Sequence, residues 1–397
     1  MPVPVFPERP GRDDAGYALF LVTGLAVALV AGIVLGALEP VLGARVIAAH
    51  ARLQTFGFLG LVVAGMSLRL FPRLARRGPV SRGLTVAIYV AMVVGVGADV
   101  AGLAAGAWLL ALGLGAVAAT LGWRLLPPPR PLPGWWPPAA VAVGWWAATA
   151  VLTALGDGGA AERVLVLGAS VSTVVAVQGR MVPVFFGRRR PGPVAILPGL
   201  ALYTVGVAAG VFAPLAMIAA ALGLAWLVLL TGAIRGRAAR LTASASGAGE
   251  GILLANRIAL LAALLMALSA PLGEGYADAA LHVLALGTLS VLIVAMARLL
   301  APVLAIERAI PGPARLAGAP PLLLGAAALL RGAASLIPGS GWLLLPLAGM
   351  AAWAGLAVFA AALVRAVVLY QQRRRALAVG GPGSAGTEVP RAPHPRV

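Results

Sequence analysis

Residues 46–71 read VIAAHARLQTFGFLGLVVAGMSLRLF, a 26-residue run in which only His50, Arg52 and Arg69 can carry charge. The hydrocarbon core of a bilayer takes roughly 20 residues of apolar helix, so this run is long enough to cross it. Unpaired backbone groups are costly in lipid, which makes a helix the natural conformation for such a segment. The same pattern recurs along the chain. It predicts twelve spans near 17–38, 46–71, 83–99, 102–124, 138–155, 163–186, 194–213, 215–234, 252–272, 278–300, 318–337 and 343–370. Proline- and glycine-rich joints separate them, among them Pro127-Pro128-Pro129 and Gly156-Asp157-Gly158-Gly159.

Composition agrees with a polytopic all-α membrane protein. Of 397 residues, 61% are hydrophobic and 11% charged, and the mean hydropathy is +0.98. The expected organisation is a cytoplasmic segment over 1–16, a twelve-helix domain over 17–372 and a disordered cytoplasmic tail over 373–397. The absence of cysteine excludes disulfides, iron–sulfur clusters and covalent haem attachment. The net charge of +18 comes from arginine alone, because the chain has no lysine. These arginines gather in short loops between apolar runs, which argues for a topology signal and against nucleic-acid binding. Alternate loops hold Arg73, Arg76 and Arg77, then Arg124 and Arg130, then Arg188, Arg189 and Arg190, and the intervening loops hold few. The positive-inside rule then places both termini in the cytoplasm, and helices two, six and ten all run inward. Their spacing of four permits three four-helix arcs.

Two of the three histidines fall within spans. His50 and His282 each lie about four residues into an inward-running helix, roughly 6 Å below its outer end. Taken singly, an imidazole there can be satisfied by a loop carbonyl or by reaching the interface. As a pair at equal depth, the two are suited to grip a flat macrocycle from opposite faces, as in a six-coordinate b-type haem. Gln54 and Gly57 share a helical face with His50, and Gly287 lies beyond His282; small residues let a ring approach, and equally let helices pack. Arg52 calls for a partner, with Asp99, Glu274, Asp278 or a haem propionate as options, and Arg331 is a second propionate candidate. Gln178 and Arg180 are a weaker polar pair in helix six. No phosphate loop, HExxH motif or hydrolytic triad is present.

Three patches resemble the NnrS proteins, a bacterial inner-membrane family described as haem- and copper-containing and linked to nitric oxide metabolism and nitrosative stress. The run from Ala49 through His50, Ala51, Arg52, Leu53, Gln54, Thr55, Phe56 and Gly57 to Phe58 resembles that family's His-Ala-His-Glu-Met-x-Phe-Gly-Phe segment. The stretch Gly179-Arg180-Met181-Val182-Pro183 is similar to its Gly-Arg-Val-Ile-Pro. The run His282-Val283-Leu284-Ala285-Leu286-Gly287, with Met296-Ala297-Arg298 beyond, is similar to its His-Ala-Leu-x-x-Gly and Met-x-Arg. The layout also resembles subunit I of haem–copper oxidases, in which helices two and ten carry the low-spin haem ligands. The resemblance implies a low-spin haem b on His50 and His282 and a redox or protective role. Nitric oxide would be the small-molecule ligand and a protein or quinol the electron donor, in a bacterial inner membrane and in contact with lipid. Where the family motif has its second histidine this chain has Arg52, which removes a ligand that copper would use, and helices six and seven contain no histidine. A cofactor-free transporter and an assembly subunit of a respiratory complex are the alternatives, and whether the chain is an enzyme is left open.

Overall fold

The computed structural model describes residues 15–37, 44–210, 213–235, 246–300 and 318–379, and among these every regular element is helical. The helices are α1 (Gly16–Gly36), α2 (Val46–Leu74), α3 (Arg82–Val100), α4 (Ala104–Leu125), α5 (Trp136–Ala154), α6 (Gly158–Phe185), α7 (Pro193–Gly210), α8 (Ala216–Thr231), α9 (Ala248–Leu272), α10 (Glu274–Ala297), α11 (Ala319–Leu336) and α12 (Gly341–Arg365). The helix containing α12 runs on to Val379. Eleven of the twelve are long and apolar enough to cross a membrane. The exception is α8, where the sequence predicts a span over 215–234. Its helix has 16 residues, or about 24 Å of rise against a core of about 30 Å. Pro214 precedes it, and Gly232 turns the chain to an extended conformation after it.

Helices that follow one another in sequence pack side by side, and α12 returns to pack on the Ile33–Ala37 end of α1. Three helices are set apart by burial. In α2, α6 and α10 the buried share of the apolar window is 78%, 72% and 78%, against 56% or less in the other eight long helices. Four helices carry π-helical stretches: α1 over Ala28–Gly32, α2 over Leu53–Gly60, α6 over Val164–Ser170 and α10 over Val283–Ser290. The stretches of α2 and α6 touch each other. So the most buried helices, four apart in sequence, are also those with the longest wide turns.

Wide turns disturb the regular i→i−4 ladder and leave backbone carbonyls to be satisfied by side chains. Tyr203 of α7, fully buried, donates its hydroxyl to the Leu167 carbonyl at 2.5 Å. In α10 the Ser290 hydroxyl reaches back five residues to Ala285 O at 2.9 Å. Tyr203→Phe should therefore lower stability by about 1–3 kcal/mol, because it strands a buried carbonyl. Thermal unfolding in detergent measures this, and an unchanged midpoint would show that Leu167 O finds another donor.

Packing elsewhere is backbone against backbone. A Cβ built on Gly206 of α7 would lie 2.2 Å from the Ala220 nitrogen of α8, and one on Gly223 would lie 2.3 Å from the Tyr203 nitrogen. Small residues at such crossings are how helices associate where lipid removes the hydrophobic drive.

Candidate cofactor site

His50 sits near the start of α2, and its surroundings come from α1. A Cβ on Gly36 would lie 2.5 Å from the imidazole Cε1, and one on Gly32 would lie 2.5 Å from the Gln54 amide nitrogen. The pair Gly32-x-x-x-Gly36 thus gives α1 a smooth stripe on which His50 and Gln54, one turn apart, both rest. His50 Nδ1 lies 2.5 Å from the Gly32 carbonyl oxygen. A carbonyl only accepts, so Nδ1 carries the proton and Nε2 keeps its lone pair.

His282 reaches the same state by a different route. Its Nδ1 lies 2.9 Å from the Asp278 carbonyl oxygen and 3.1 Å from the Asp278 Oδ1. Both are acceptors, so here too Nδ1 is the donor. Asp278 is the hub of the surrounding network. Its Oδ2 accepts from Ser335 Oγ at 2.5 Å and faces Arg331 Nη1 at 3.1 Å, while Arg331 Nη1 also donates to Ser335 Oγ at 2.7 Å. The i,i+4 spacing of Asp278 and His282 places them on one face of α10. His50 lies within electrostatic reach of both His282 and Arg331, so the starting ends of α2 and α10 and the final third of α11 share one region.

The remaining expected residues are placed as follows. Arg52 pairs with Asp99 at the end of α3, Nη1 to Oδ2 at 2.7 Å, and also faces the Asp99 carbonyl at 3.4 Å. Of the options for Arg52 the structure thus selects Asp99. Arg331 is engaged by Asp278. A Cβ on Gly57 would lie 2.8 Å from Val27, and one on Gly287 would lie 2.6 Å from Ile258 and 2.8 Å from Ala328. Both glycines therefore stand at helix crossings, with α1 and with α9 and α11. Gln178 is buried in α6 and Arg180 half-buried. Most of the expected tail, residues 380–397, lies outside the described residues.

On the other side of Asp278 is a cavity of about 580 Å³ bounded by α6, α7, α9 and α10 and by the start of α8. Its walls are largely apolar, with Met217, Met266 and Leu281 among them, and Arg163, Glu274 and Asp278 supply its charges. That size and mixture suit a small-molecule pocket.

Among the described residues no group of three or more His, Asp or Glu side chains is arranged to hold a bare metal ion. The donor set is two imidazoles with fixed Nδ1–H. This fits a haem, whose porphyrin supplies four nitrogens and leaves two axial positions to the protein. A histidine that ligates metal almost always donates its other nitrogen to a carbonyl or carboxylate, as both do here. No protein-family model matches the chain, and no curated protein matches it. The resemblance to NnrS therefore rests on the three short patches, and the site on its geometry.

Sequence reasoning named both histidines, Arg52 and Arg331 as candidates. It did not find Gly32 and Gly36, although the GxxxG spacing in an apolar helix is their signature. It considered Asp278 only as a partner for Arg52.

Proposed function

We propose that this chain is a multi-span membrane protein that holds one b-type haem between His50 and His282. We further propose a twelve-span arrangement of three four-helix arcs, with both termini cytoplasmic, in a bacterial inner membrane. The observation that carries the haem assignment is the matched state of the two imidazoles. Each has Nδ1 pinned by an acceptor, which leaves Nε2 as the nitrogen that a metal would take. The burial of α2, α6 and α10, at intervals of four, supports the arcs. The concentration of arginine in alternate loops supports the orientation.

A bound haem supplies one-electron chemistry at its iron. His50 and His282 would hold it, and Asp278, Arg331 and Arg52 would set the surrounding charge. Gly32 O fixes the ring plane of His50 through a neutral acceptor. Asp278 does the same for His282 through a carboxylate, which raises the basicity of Nε2. Arg331 balances that carboxylate, and Arg52 is balanced by Asp99, so neither cation is left isolated. The role we assign is redox or protective, in nitric oxide or respiratory metabolism, with a protein or quinol as electron donor.

A reduced-minus-oxidised spectrum of the purified protein should show b-type bands. His50→Ala/His282→Ala should abolish them while the far-ultraviolet helical signal stays. Haem retained by that double variant overturns the assignment. The 580 Å³ cavity favours a second reading, a cofactor-free small-molecule carrier. Purified protein without haem absorbance would favour that reading.

A further inference from the structure

We infer that the arginine-rich face of the bundle binds the phosphate of an anionic phospholipid, between Arg180 of α6 and the loops that follow α2 and α6. The two faces treat their arginines differently. Where α2, α6 and α10 begin, cations meet carboxylates: Arg52 pairs with Asp99 and Arg331 with Asp278. At the opposite ends they meet neutral carbonyls. Arg77 donates to Leu126 O at 3.3 Å and Arg124 to Pro79 O at 3.2 Å, which laces the loop after α2 to the loop after α4. Arg188 donates to Gly232 O at 3.1 Å and to Arg235 O at 2.7 Å, and so joins the loop after α6 to the one after α8. A Cβ on Gly134 would lie 2.1 Å from Pro191 O, so the loops after α4 and α6 touch as well. These loops form one collar. A carbonyl fixes a guanidinium without cancelling its charge, and among the described residues the acid on this face is Glu250, at the start of α9. The collar therefore keeps a positive field.

One cation of this face is set into the bundle and not on its rim. Arg180 is half-buried and lies about 7.5 Å in from the Phe185 end of α6. Its charged neighbours are Arg190 and Arg76, both exposed, from the loops after α6 and α2. Among the described residues no side-chain hydrogen bond or ion pair engages any of the three. Like charges that converge without a carboxylate repel one another, and partial burial of one of them raises the cost, so an anion among them is stabilising. Phosphate fits, because guanidinium forks take its oxygens in pairs. The depth selects a lipid over a solute: basic pockets between spans on the cytoplasmic side are where anionic headgroups bind. Trp123, 80% exposed beside Arg124, marks the level of the interface on the same face. Neither imidazole takes part, and the site stands whether or not the protein carries haem.

Native mass spectrometry of the full chain in a neutral detergent tests it, with phosphatidylglycerol and phosphatidylcholine added in equal amounts. Phosphatidylglycerol should be retained several-fold more than phosphatidylcholine. Each arginine beside an anionic headgroup contributes about fivefold in affinity, so Arg180→Gln/Arg190→Gln should remove most of that excess. Arg82, exposed at the start of α3 on the same face, gives the control. Arg82→Gln removes a charge outside the site and should leave the excess unchanged. A loss from Arg82→Gln equal to that from Arg190→Gln would assign the attraction to the whole face and overturn the site. Equal retention of the two lipids, or an excess that survives the double variant, overturns the proposal. Displacement of the lipid by excess inorganic phosphate would make the ligand a soluble phosphate and overturn the lipid assignment. If the double variant folds poorly, Arg190→Gln alone serves, because Arg190 is an exposed loop residue. It should lower phosphatidylglycerol affinity about fivefold, and an unchanged affinity contradicts the site.

Discussion

Asp278→Ala is expected to destabilise the protein by about 2 kcal/mol and to weaken haem binding by about 10–100-fold. The stability figure is set by exposure. Breaking a buried ion pair costs about 3–5 kcal/mol and an exposed one about 0–1. Here the Arg331 side chain is 18% exposed and Asp278 41%, so the pair lies between those limits. Removal of the carboxylate leaves the more buried partner, the guanidinium, without its counter-charge and takes an acceptor from Ser335. Arg331→Ala should cost less, about 1 kcal/mol, because Asp278 keeps Ser335 and His282 as donors. The double variant should then be milder than the sum of the two, the mark of direct coupling. Chemical unfolding in detergent gives the three values, and an Asp278→Ala change below half a kcal/mol would remove the hub from the account. Haem titration gives the second half. The Asp278 main-chain carbonyl remains in the alanine variant, so His282 keeps its Nδ1 proton and loses only the carboxylate's charge. Weakened binding rather than complete loss is therefore the expected result, in contrast to the histidine variants.

The sequence makes some of this legible and hides the rest for identifiable reasons. Apolar runs separated by proline and glycine locate the helices, because the need to satisfy backbone groups in lipid leaves few other conformations. Arginine inside a span demands an acid, and Asp99 at the end of the third predicted helix is among the few available for Arg52. The shortness of α8 escapes a hydropathy reading. Leu215 and Ile234 are as apolar as the helix they flank, and it is Pro214 and the extended Gly232 that end the helix early. The π-helical stretches escape it too. Leu, Val and Gly lie on nearly every side of α2 and α10, so a rotation of the buried face leaves no mark in the hydropathy pattern. The network at Asp278 joins residues 57 positions apart, and no local spacing announces that Ser335 and Arg331 meet α10. What local spacing does announce is the i,i+4 pair of Asp278 and His282, and the Gly32-x-x-x-Gly36 stripe that seats His50.

Gly206→Leu should cost about 3 kcal/mol, more than any other single change considered. Even the first carbon of the new side chain would lie 2.2 Å from the Ala220 nitrogen, 2.7 Å from its Cα and 2.8 Å from Ala216 O. All three are main-chain atoms, so no rotamer change relieves the overlap and the two helices must separate. Gly144→Ala in α5 is the control, since a Cβ there has nothing within 4 Å. It should be neutral or stabilising by up to about 1 kcal/mol, the ordinary helix preference for alanine over glycine. Thermal unfolding monitored by far-ultraviolet circular dichroism separates the two, and equal midpoints would mean that α7 and α8 do not touch through their backbones. The size of the expected loss follows from the character of α8. A helix of about 24 Å does not fill the hydrocarbon core by itself, so its place depends on its neighbours more than on lipid. Its packing on α7 runs through Gly206 at Ala220 and through Gly223 at Tyr203, and Tyr203 in turn holds the Leu167 carbonyl of α6. Forcing α7 and α8 apart therefore reaches the π-helical stretch of a central helix, and should lower the cooperativity of unfolding as well as its midpoint.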